Sequence, residues 1–512
     1  MKRVAELEQE NTKLKTYAAK LEADLKRVQE ELRLALQRQF GKSSEKLVGQ
    51  DELPFEDLQD DETPESIETV VIAQHERRSK AGRKRLADSL PRTDVFHDLG
   101  DTEKTCACGH QLNKIGEDIS EKLVMVPSKV WVDRHHHAKY ACKHCQGLTD
   151  ESKPGVIRAA GEPDLFPRSI VSAPLLAHIW TAKFCDHLPF YRQQYGFARI
   201  GAEISRQDMV NWTMKVSNQL EPLIVLIDSA IREGPVIQMD ETPVKVLKLE
   251  RTGKDGQGYM WLARGGPAEH PAVRYRFAPG RGSEHAKSYL GDFSGYLQTD
   301  GYAGYDTALA GSAIIHVGCW AHARRKFVEA EKASPSNLSK DALGRIKKLY
   351  ELEKGCRDHA KRFGLDGEHF GAHRRQLIEP HLENLKRWLD REAARTLPSG
   401  ATGKAVAYTV GQWDKLIAFL GHADLTPDNN RAENAIRPFV LGRKNWMFHG
   451  NDACAEASCR VYSLIETAKL NGWEPWAYLS ELLGRLPIAR QTGDWASLLP
   501  WSIKQAETHP KN

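Results

Sequence analysis

From Val4 the apolar residues recur in steps of three and four. Val4, Asn11, Ala18, Leu25 and Leu32 occupy a positions, and Leu7, Leu14, Leu21, Val28 and Ala35 occupy d positions. Glu, Lys, Arg and Gln fill the intervening places. This heptad predicts a coiled coil over residues 1–40 and a homo-oligomer formed through it, with Asn11 fixing register at some cost in stability. A single amphipathic helix folded onto the body is the alternative. Helical periodicity returns over residues 165–220, at Val171 to Phe184, near Phe190 to Tyr195, and at Gln207 to Asn218, the last with Ser205 as N-cap. After Gly234 the period changes to two. Val236 to Leu249, Gly258 to Arg264 and Ala272 to Phe277 read as a three-strand meander. A helix (Ser283 to Phe293), two more strands (Gly295 to Asp300, Ala313 to Cys319) and a helix (Trp320 to Glu331) follow. Residues 329–426 are helical and charged, without a convincing strand. The sum predicts a multidomain α+β chain with a mixed α/β core at 234–475 interrupted by a helical insertion. An amphipathic tail at 476–512 has no evident role.

Composition narrows the class. A chain of 512 residues exceeds one core and fits two to four domains. With 40% hydrophobic and 28% charged residues it reads as soluble and mostly folded. No apolar run approaches the roughly 20 residues of a membrane span, and heptads stand where a signal peptide's apolar region would be. The expectation is a cytoplasmic protein with no membrane partner. A net charge of +4 does not mark a nucleic-acid binder, but charge is clustered in the linker at 41–100. Residues 51–68 hold nine acids and no Lys or Arg, whereas residues 77–92 hold seven basic residues and one acid. The basic block centres on Arg83, Lys84 and Arg85, which suit a phosphate backbone; a solubilising spacer is the plain alternative.

Four of nine cysteines fall in one predicted domain at 101–150. Cys106 and Cys108 form one close pair, and Cys142 and Cys145 a second. Two thiolate pairs in a reducing compartment predict a Zn²⁺ knuckle rather than disulfides. The single-residue spacer of the first pair departs from the usual pattern, and His110 or His144 could substitute as ligand. Val130 to Tyr140 alternates like a strand, with His135, His136 and His137 read as surface. The segment Ile200 to Trp212 resembles a helix-turn-helix whose last helix would present Arg206 and Gln207 to DNA bases, though plain packing on a larger domain accounts for the same pattern.

Three acids carry the candidate chemistry. Asp240 lies in the first core strand and Asp300 ends the fourth. Glu433 opens a helix after the insertion. An acid on the first and fourth strands matches the ribonuclease-H-like arrangement, in which those strands are neighbours. Each acid has a local explanation: Asp240 as a strand-end acid, Asp300 as a turn-former before Gly301, and Glu433 in a capping box with Asn430. Together they are better read as ligands for hard divalent ions, Mg²⁺ or Mn²⁺.

Taken in order, the motifs resemble a transposase of the insertion sequence 66 family (TnpC type). They are the cysteine knuckle with Ile115-Gly-Glu-Asp-Ile-Ser-Glu121, Leu175 to Phe184, and Gln238-Met-Asp-Glu-Thr-Pro243. Thr299-Asp-Gly-Tyr302, Cys319 to Phe327, Asn429 to Asn434 and Gly442 to Trp446 complete the series. The resemblance implies that Asp240, Asp300 and Glu433 are a DDE triad. It also implies a Cys-x-x-His element, here Cys319 and His322, for which a structural role is expected. The chemistry that follows is two-metal phosphoryl transfer: cleavage at the ends of an insertion element, then attack of the freed 3′-hydroxyl on target DNA. Arg431, Arg437, Arg443 and Lys444, around and after Glu433, are the candidates, some of which are expected to grip phosphate, with plain surface charge as the alternative. Trp446 and Phe448 read equally as base-stacking or core residues. Accessory proteins of the same element and nucleoid association are further implications. The rival readings are a non-catalytic, sequence-specific DNA-binding protein with a decayed core, and a metal-dependent nuclease without strand transfer.

Overall fold

The computed structural model describes residues 92–96, 122, 129–141, 156–161, 163–249 and 256–503, with a broken run between 11 and 33. That run is helical where described, and its apolar side chains Leu14, Leu21, Leu25, Val28 and Leu32 are exposed. Arg83, Lys84 and Arg85 lie outside the described residues, as do Cys106, Cys108, Cys142 and Cys145.

A short antiparallel pair joins β1 (Lys139–Ala141) to β2 (Val156–Arg158). The alternation from Val130 predicts a longer strand, but β2 supplies only three partners and residues 130–138 are not paired with it. His135 and His136 are exposed. His137 is half-buried instead, with Nδ1 3.2 Å from the Ala159 carbonyl oxygen.

Four helices precede the sheet: α1 (Ala173–Phe184), α2 (Phe190–Arg199), α3 (Arg206–Gln219) and α4 (Glu221–Glu233). Ser172 caps α1, and Pro174 sits in its first turn, where a missing N–H costs nothing. Ser205 caps α3 as expected and forms a capping box with Asp208. The apolar run Leu223–Ile227 forms α4, which the sequence pattern left unassigned; it buries Leu223, Ile224, Ile227 and Ile231 along one face.

The sheet strands are β3 (Val236–Lys248), β4 (Gln257–Gly265), β5 (Ala272–Ala278), β6 (Tyr296–Gln298) and β7 (Ile315–Val317). Helix α5 (Ser283–Leu290) follows β5, and α6 (Ala303–Leu309) lies between β6 and β7. The strand order is β5-β4-β3-β6-β7. The meander is antiparallel, while β3, β6 and β7 run parallel. Met260 to Ala263 of β4 are all buried, because both faces of the strand are covered. On one face Trp261 meets Tyr305 of α6; on the other Met260 meets Cys459.

The chain then leaves the sheet through α7 (Trp320–Ala333), α8 (Asn337–Phe363), α9 (Gly367–Ala393), α10 (Ala401–Gly411) and α11 (Trp413–Ile417). These helices form a second core with Trp320, Phe327, Ile346, Leu349, Ile378, Leu385 and Phe419. The return runs through α12 (Asn430–Trp446), β8 (His449–Asn451), α13 (Asp452–Leu470) and α14 (Pro475–Thr492). β8 pairs with the far end of β3, through Val246↔His449 and Lys248↔Asn451. α13 is buried almost all round and covers the outer edge of β5. Ser463 Oγ accepts the Tyr275 N–H at 2.8 Å, and Thr467 Oγ1 accepts the Val273 N–H at 3.0 Å. The open sheet edge is thereby satisfied by helix hydroxyls. α14 buries Tyr478, Leu479, Leu482, Leu483 and Leu486 in the sheet core, so this helix of the expected tail is part of the packing. Among the described residues no helix is long and apolar enough to cross a membrane.

Candidate functional site

The site is assembled on β3, where Asp240 lies within the strand and not at its end as the local explanation had it, and just past the end of β6. Their register pairs Val236 with Tyr296, Ile237 with Leu297 and Gln238 with Gln298. Gln238 Nε2 donates to Gln298 Oε1 at 2.7 Å across that last pair. Asp240 and Asp300 each lie two residues beyond it, so parallel pairing delivers both acids to one level of the sheet. Asp240 Oδ1 accepts the Glu241 N–H at 2.9 Å, and Asp300 Oδ1 accepts the Tyr302 N–H at 3.0 Å. The turn role expected for Asp300 is therefore real, and it leaves the second carboxylate oxygen available.

Glu433 arrives from far along the chain. Asn429, the N-cap of α12, donates through Nδ2 to the Met239 carbonyl at 2.8 Å, directly before Asp240. Gln298 Nε2 also donates to the Thr426 carbonyl at 2.7 Å. Both sheet strands thus grip the segment that leads into α12. Asn430 is the first helical residue, not the cap, and Asn429 makes no side-chain capping bond. The capping box that would explain Glu433 locally is not formed. Glu433 instead faces α7, with Oε1 3.6 Å from His322 Nδ1 and Oε2 3.8 Å from Arg325 Nη2.

Electrostatics bind the three acids into one cluster. Burial, then the charges of Glu241, Glu433 and Asp300, push the Asp240 carboxyl up to about 8, against the pull of the Glu241 N–H. Glu241 is a fourth acid and its side chain is 1% exposed. Burial raises its carboxyl too, opposed by a hydrogen bond from Tyr305 Oη and by the charge of Arg281, whose Nε donates to Oε1 at 2.6 Å. Arg281 stacks on Tyr302 at 3.7 Å and stands 3.9 Å from Asp300. Burial lowers the His322 imidazole. Four carboxyl groups crowd together beside two guanidinium groups, Arg281 and Arg325, an arrangement that a divalent cation would relieve.

Sequence reading missed Glu241, Arg281, Tyr305 and Arg325. Glu241 and Arg325 lie inside motifs already singled out, and Arg281 stands between Gly280 and Gly282 at a helix start. Those were the available signals; no spacing links Tyr305 to Glu241.

The other candidates divide. Arg206 and Gln207 are exposed at the start of α3, while Met209, Trp212 and Val216 of the same helix are buried in the core, so one face of the helix packs on the body. Arg431, Arg437 and Lys444 are exposed on α12. Arg443 is turned inward: it donates to Thr242 Oγ1 at 3.0 Å and to the Pro243 carbonyl, fastening α12 to β3. Trp446 packs on Phe439 and His449, whereas Phe448 is exposed.

Comparison with known proteins covers most of the chain. A family model described as Transposase IS66 family matches residues 168–457, and one described as IS66 C-terminal element matches residues 463–501. The zinc-finger binding domain of transposase IS66 matches residues 103–146, and Transposase C of IS166 homeodomain matches residues 27–95. Uncharacterized protein y4jD of Sinorhizobium fredii (strain NBRC 101917 / NGR234) is 32% identical over 470 residues, covering 86% of this chain and 88% of the relative. Uncharacterized protein y4qI of the same strain is 31% identical over 440 residues, covering 84% and 78%.

Proposed function

The chain belongs to the transposase IS66 family, and we propose that it cleaves the ends of an insertion element and joins them to target DNA with Asp240, Asp300 and Glu433 as its metal-holding triad. The observation that carries this reading is the β3–β6 register, which sets Asp240 and Asp300 at one level, together with the Asn429 bond to the Met239 carbonyl, which fastens the start of the Glu433 helix beside them. The sheet order β5-β4-β3-β6-β7, with Asp240 on β3 and Asp300 just past the adjacent β6, supports a ribonuclease-H-like core.

The residues fit divalent cations. Glu433 Oε1 is buried without a hydrogen-bond partner, and burial with the neighbouring acids raises the Asp240 carboxyl. Both conditions are relieved by a bound cation with oxygen affinity. Mg²⁺ or Mn²⁺ held by Asp240, Asp300 and Glu433 would supply Lewis-acid activation of phosphate and nucleophile. The chain's own residues do the rest. Arg281 neutralises Glu241 and steadies the loop beside Asp300. Asn429 and Gln298 fix the approach of α12, and with it Glu433. Arg431, Arg437 and Lys444 present cations on the helix that carries Glu433, where they suit the DNA backbone. Arg443 serves instead to hold that helix.

The match over residues 27–95 spans the basic block, which supports DNA contact through Arg83, Lys84 and Arg85. The match over residues 103–146 supports Zn²⁺ binding by Cys106, Cys108, Cys142 and Cys145. The exposed apolar heptad residues support self-association.

The test incubates the full chain with labelled element ends, a target plasmid and Mg²⁺. Cleavage and joining are expected, each falling roughly 10³-fold in Asp240→Asn and Glu433→Gln, the equivalent of about 4 kcal/mol of transition-state stabilisation. Cleavage without joining would make the protein a nuclease. Binding without Mg²⁺-dependent cleavage would overturn the enzymatic reading in favour of a DNA-binding protein.

A further inference from the structure

The pair Cys319 and His322 was expected to be structural, and the fold gives it a third neighbour. Cys319 is the N-cap of α7 and His322 lies in the first turn, so both side chains face one side of the helix start. The start of α12 abuts that turn. The Asn429 N–H donates to Cys319 Sγ at 3.3 Å, and the Trp320 N–H donates to the Pro427 carbonyl at 2.9 Å. These contacts bring Glu433 over the Cys-x-x-His turn. One ligand atom from each of Cys319, His322 and Glu433 lies within 4.8 Å of the others. His322 Nδ1 and Glu433 Oε1 are both buried and both lack a hydrogen-bond partner, although they face each other at 3.6 Å. Two orphaned polar atoms beside a buried thiol are unfavourable unless a ligand joins them.

We propose that Cys319, His322 and Glu433 form a second metal site for Zn²⁺ or a related late first-row divalent ion, one that shares Glu433 with the Asp240 cluster. The donor set decides the metal class. Sulfur, imidazole nitrogen and one carboxylate oxygen suit Zn²⁺ or Co²⁺, whereas Mg²⁺ selects oxygen alone. Bonds of about 2.0–2.3 Å in a tetrahedron place ligand atoms roughly 3.5 Å apart. Rotation of the His322 and Glu433 side chains covers the difference, because hydrogen bonds between the two helix starts already fix the backbones. On binding, the Cys319 S–H bond breaks, a sulfur–metal bond forms, and the proton leaves to solvent. Thiolate and carboxylate then balance both charges of the ion. Three protein ligands leave a fourth position open, unlike a closed structural site. Glu433 is the shared ligand, so occupancy by a soft ion draws it from the hard-ion cluster. Only that consequence rests on the triad assignment; the site itself does not.

The test is a Co²⁺ titration of the metal-free full chain, followed by near-ultraviolet absorption and equilibrium dialysis. The knuckle cysteines contribute equally to every variant compared, so differences report the new site. The wild-type chain is expected to bind one Co²⁺ more than Cys319→Ser and to show an additional thiolate-to-cobalt charge-transfer component. His322→Gln should weaken that extra ion at least tenfold. Asp240→Asn should retain it while losing Mg²⁺-dependent cleavage, which separates failure of this site from failure of the triad. Serine can still accept the Asn429 N–H, and thermal melts check that each variant folds. Should Cys319→Ser not fold, the His322→Gln comparison decides alone. Identical stoichiometry and spectra in the wild type and the folded variants would overturn the proposal and leave Cys319 as a helix cap.

Discussion

Glu241 stands next to Asp240 in the chain but points to the other side of its strand. Strand alternation turns it toward Tyr305 and Arg281, so the two neighbouring acids meet different surroundings. Adjacency was its only signal in the sequence, because its partners lie 40 and 64 residues away. A second residue-scale case is His449. Its side chain is packed against Phe439 and Trp446, and Nε2 is buried without a partner. Burial, then the charge of Lys183, push its imidazole down from 6.5 to about 3. The unfolded chain takes up a proton below pH 6.5 that the folded chain refuses. Stability from this group is therefore complete above that pH and lost as pH falls, by up to about 1.4 kcal/mol per unit. In His449→Leu that dependence should vanish, so between pH 7 and pH 5 the wild type should lose about 2 kcal/mol relative to the variant. Denaturant titrations at the two pH values measure it, and parallel pH dependences would refute a neutral buried His449.

At the scale of elements, period and punctuation carried most of the core. The meander, β6, β7 and α7 lie where alternation, glycines and apolar spacing put them. Among the elements that escaped, three did so for separate reasons. The apolar run of α4 has no pattern that distinguishes a buried helix from a buried strand. Helix α6 is only seven residues and is fixed by contact with Trp261. β8 has glycine at its centre and exists because β3 offers it a partner. The insertion was legible as helical, but not the side chain that pins it. Arg374 is 0% exposed, and donates to the Leu425 carbonyl at 2.9 Å, to the His422 carbonyl at 2.7 Å and to the Phe419 carbonyl. It also pairs with Glu353 of α8 at 3.4 Å. It thereby ties two long helices to the segment leading back to Glu433. Arg374→Met would strand those carbonyls and weaken the compensation of a buried carboxylate. A loss of roughly 3 kcal/mol is expected, or about 5–10 °C in Tm by calorimetry. An unchanged Tm would mean that the return segment is held elsewhere.

For the whole molecule, the N-terminal heptad is the feature that reaches beyond one chain. Among the described residues its a and d side chains are exposed, although Arg33 Nη1 donates to the Ala333 carbonyl at 3.0 Å and so touches the end of α7. If the heptad mediates self-association, light scattering should give a multiple of 57.6 kDa for the wild type and the single-chain mass for Leu21→Asp/Val28→Asp. Equal masses would favour the helix folded on its own chain. The order of motifs, the periods of two and 3.6, and the long charged insertion were all readable without coordinates, because each depends on residues near one another in the chain. Asp240 and Asp300 were within reach of that reasoning, since each sits on a strand of recognisable pattern. Glu433 was not, as its local spacing fitted a capping box equally well. Tertiary structure removed the capping-box explanation by starting α12 at Asn430 and spending the Asn429 side chain on β3. The gathering of Cys319, His322 and Glu433 belongs to the same class. It depends on two helix starts, more than a hundred residues apart, meeting through one backbone hydrogen bond and one from a backbone N–H to the Cys319 sulfur, which no local pattern encodes.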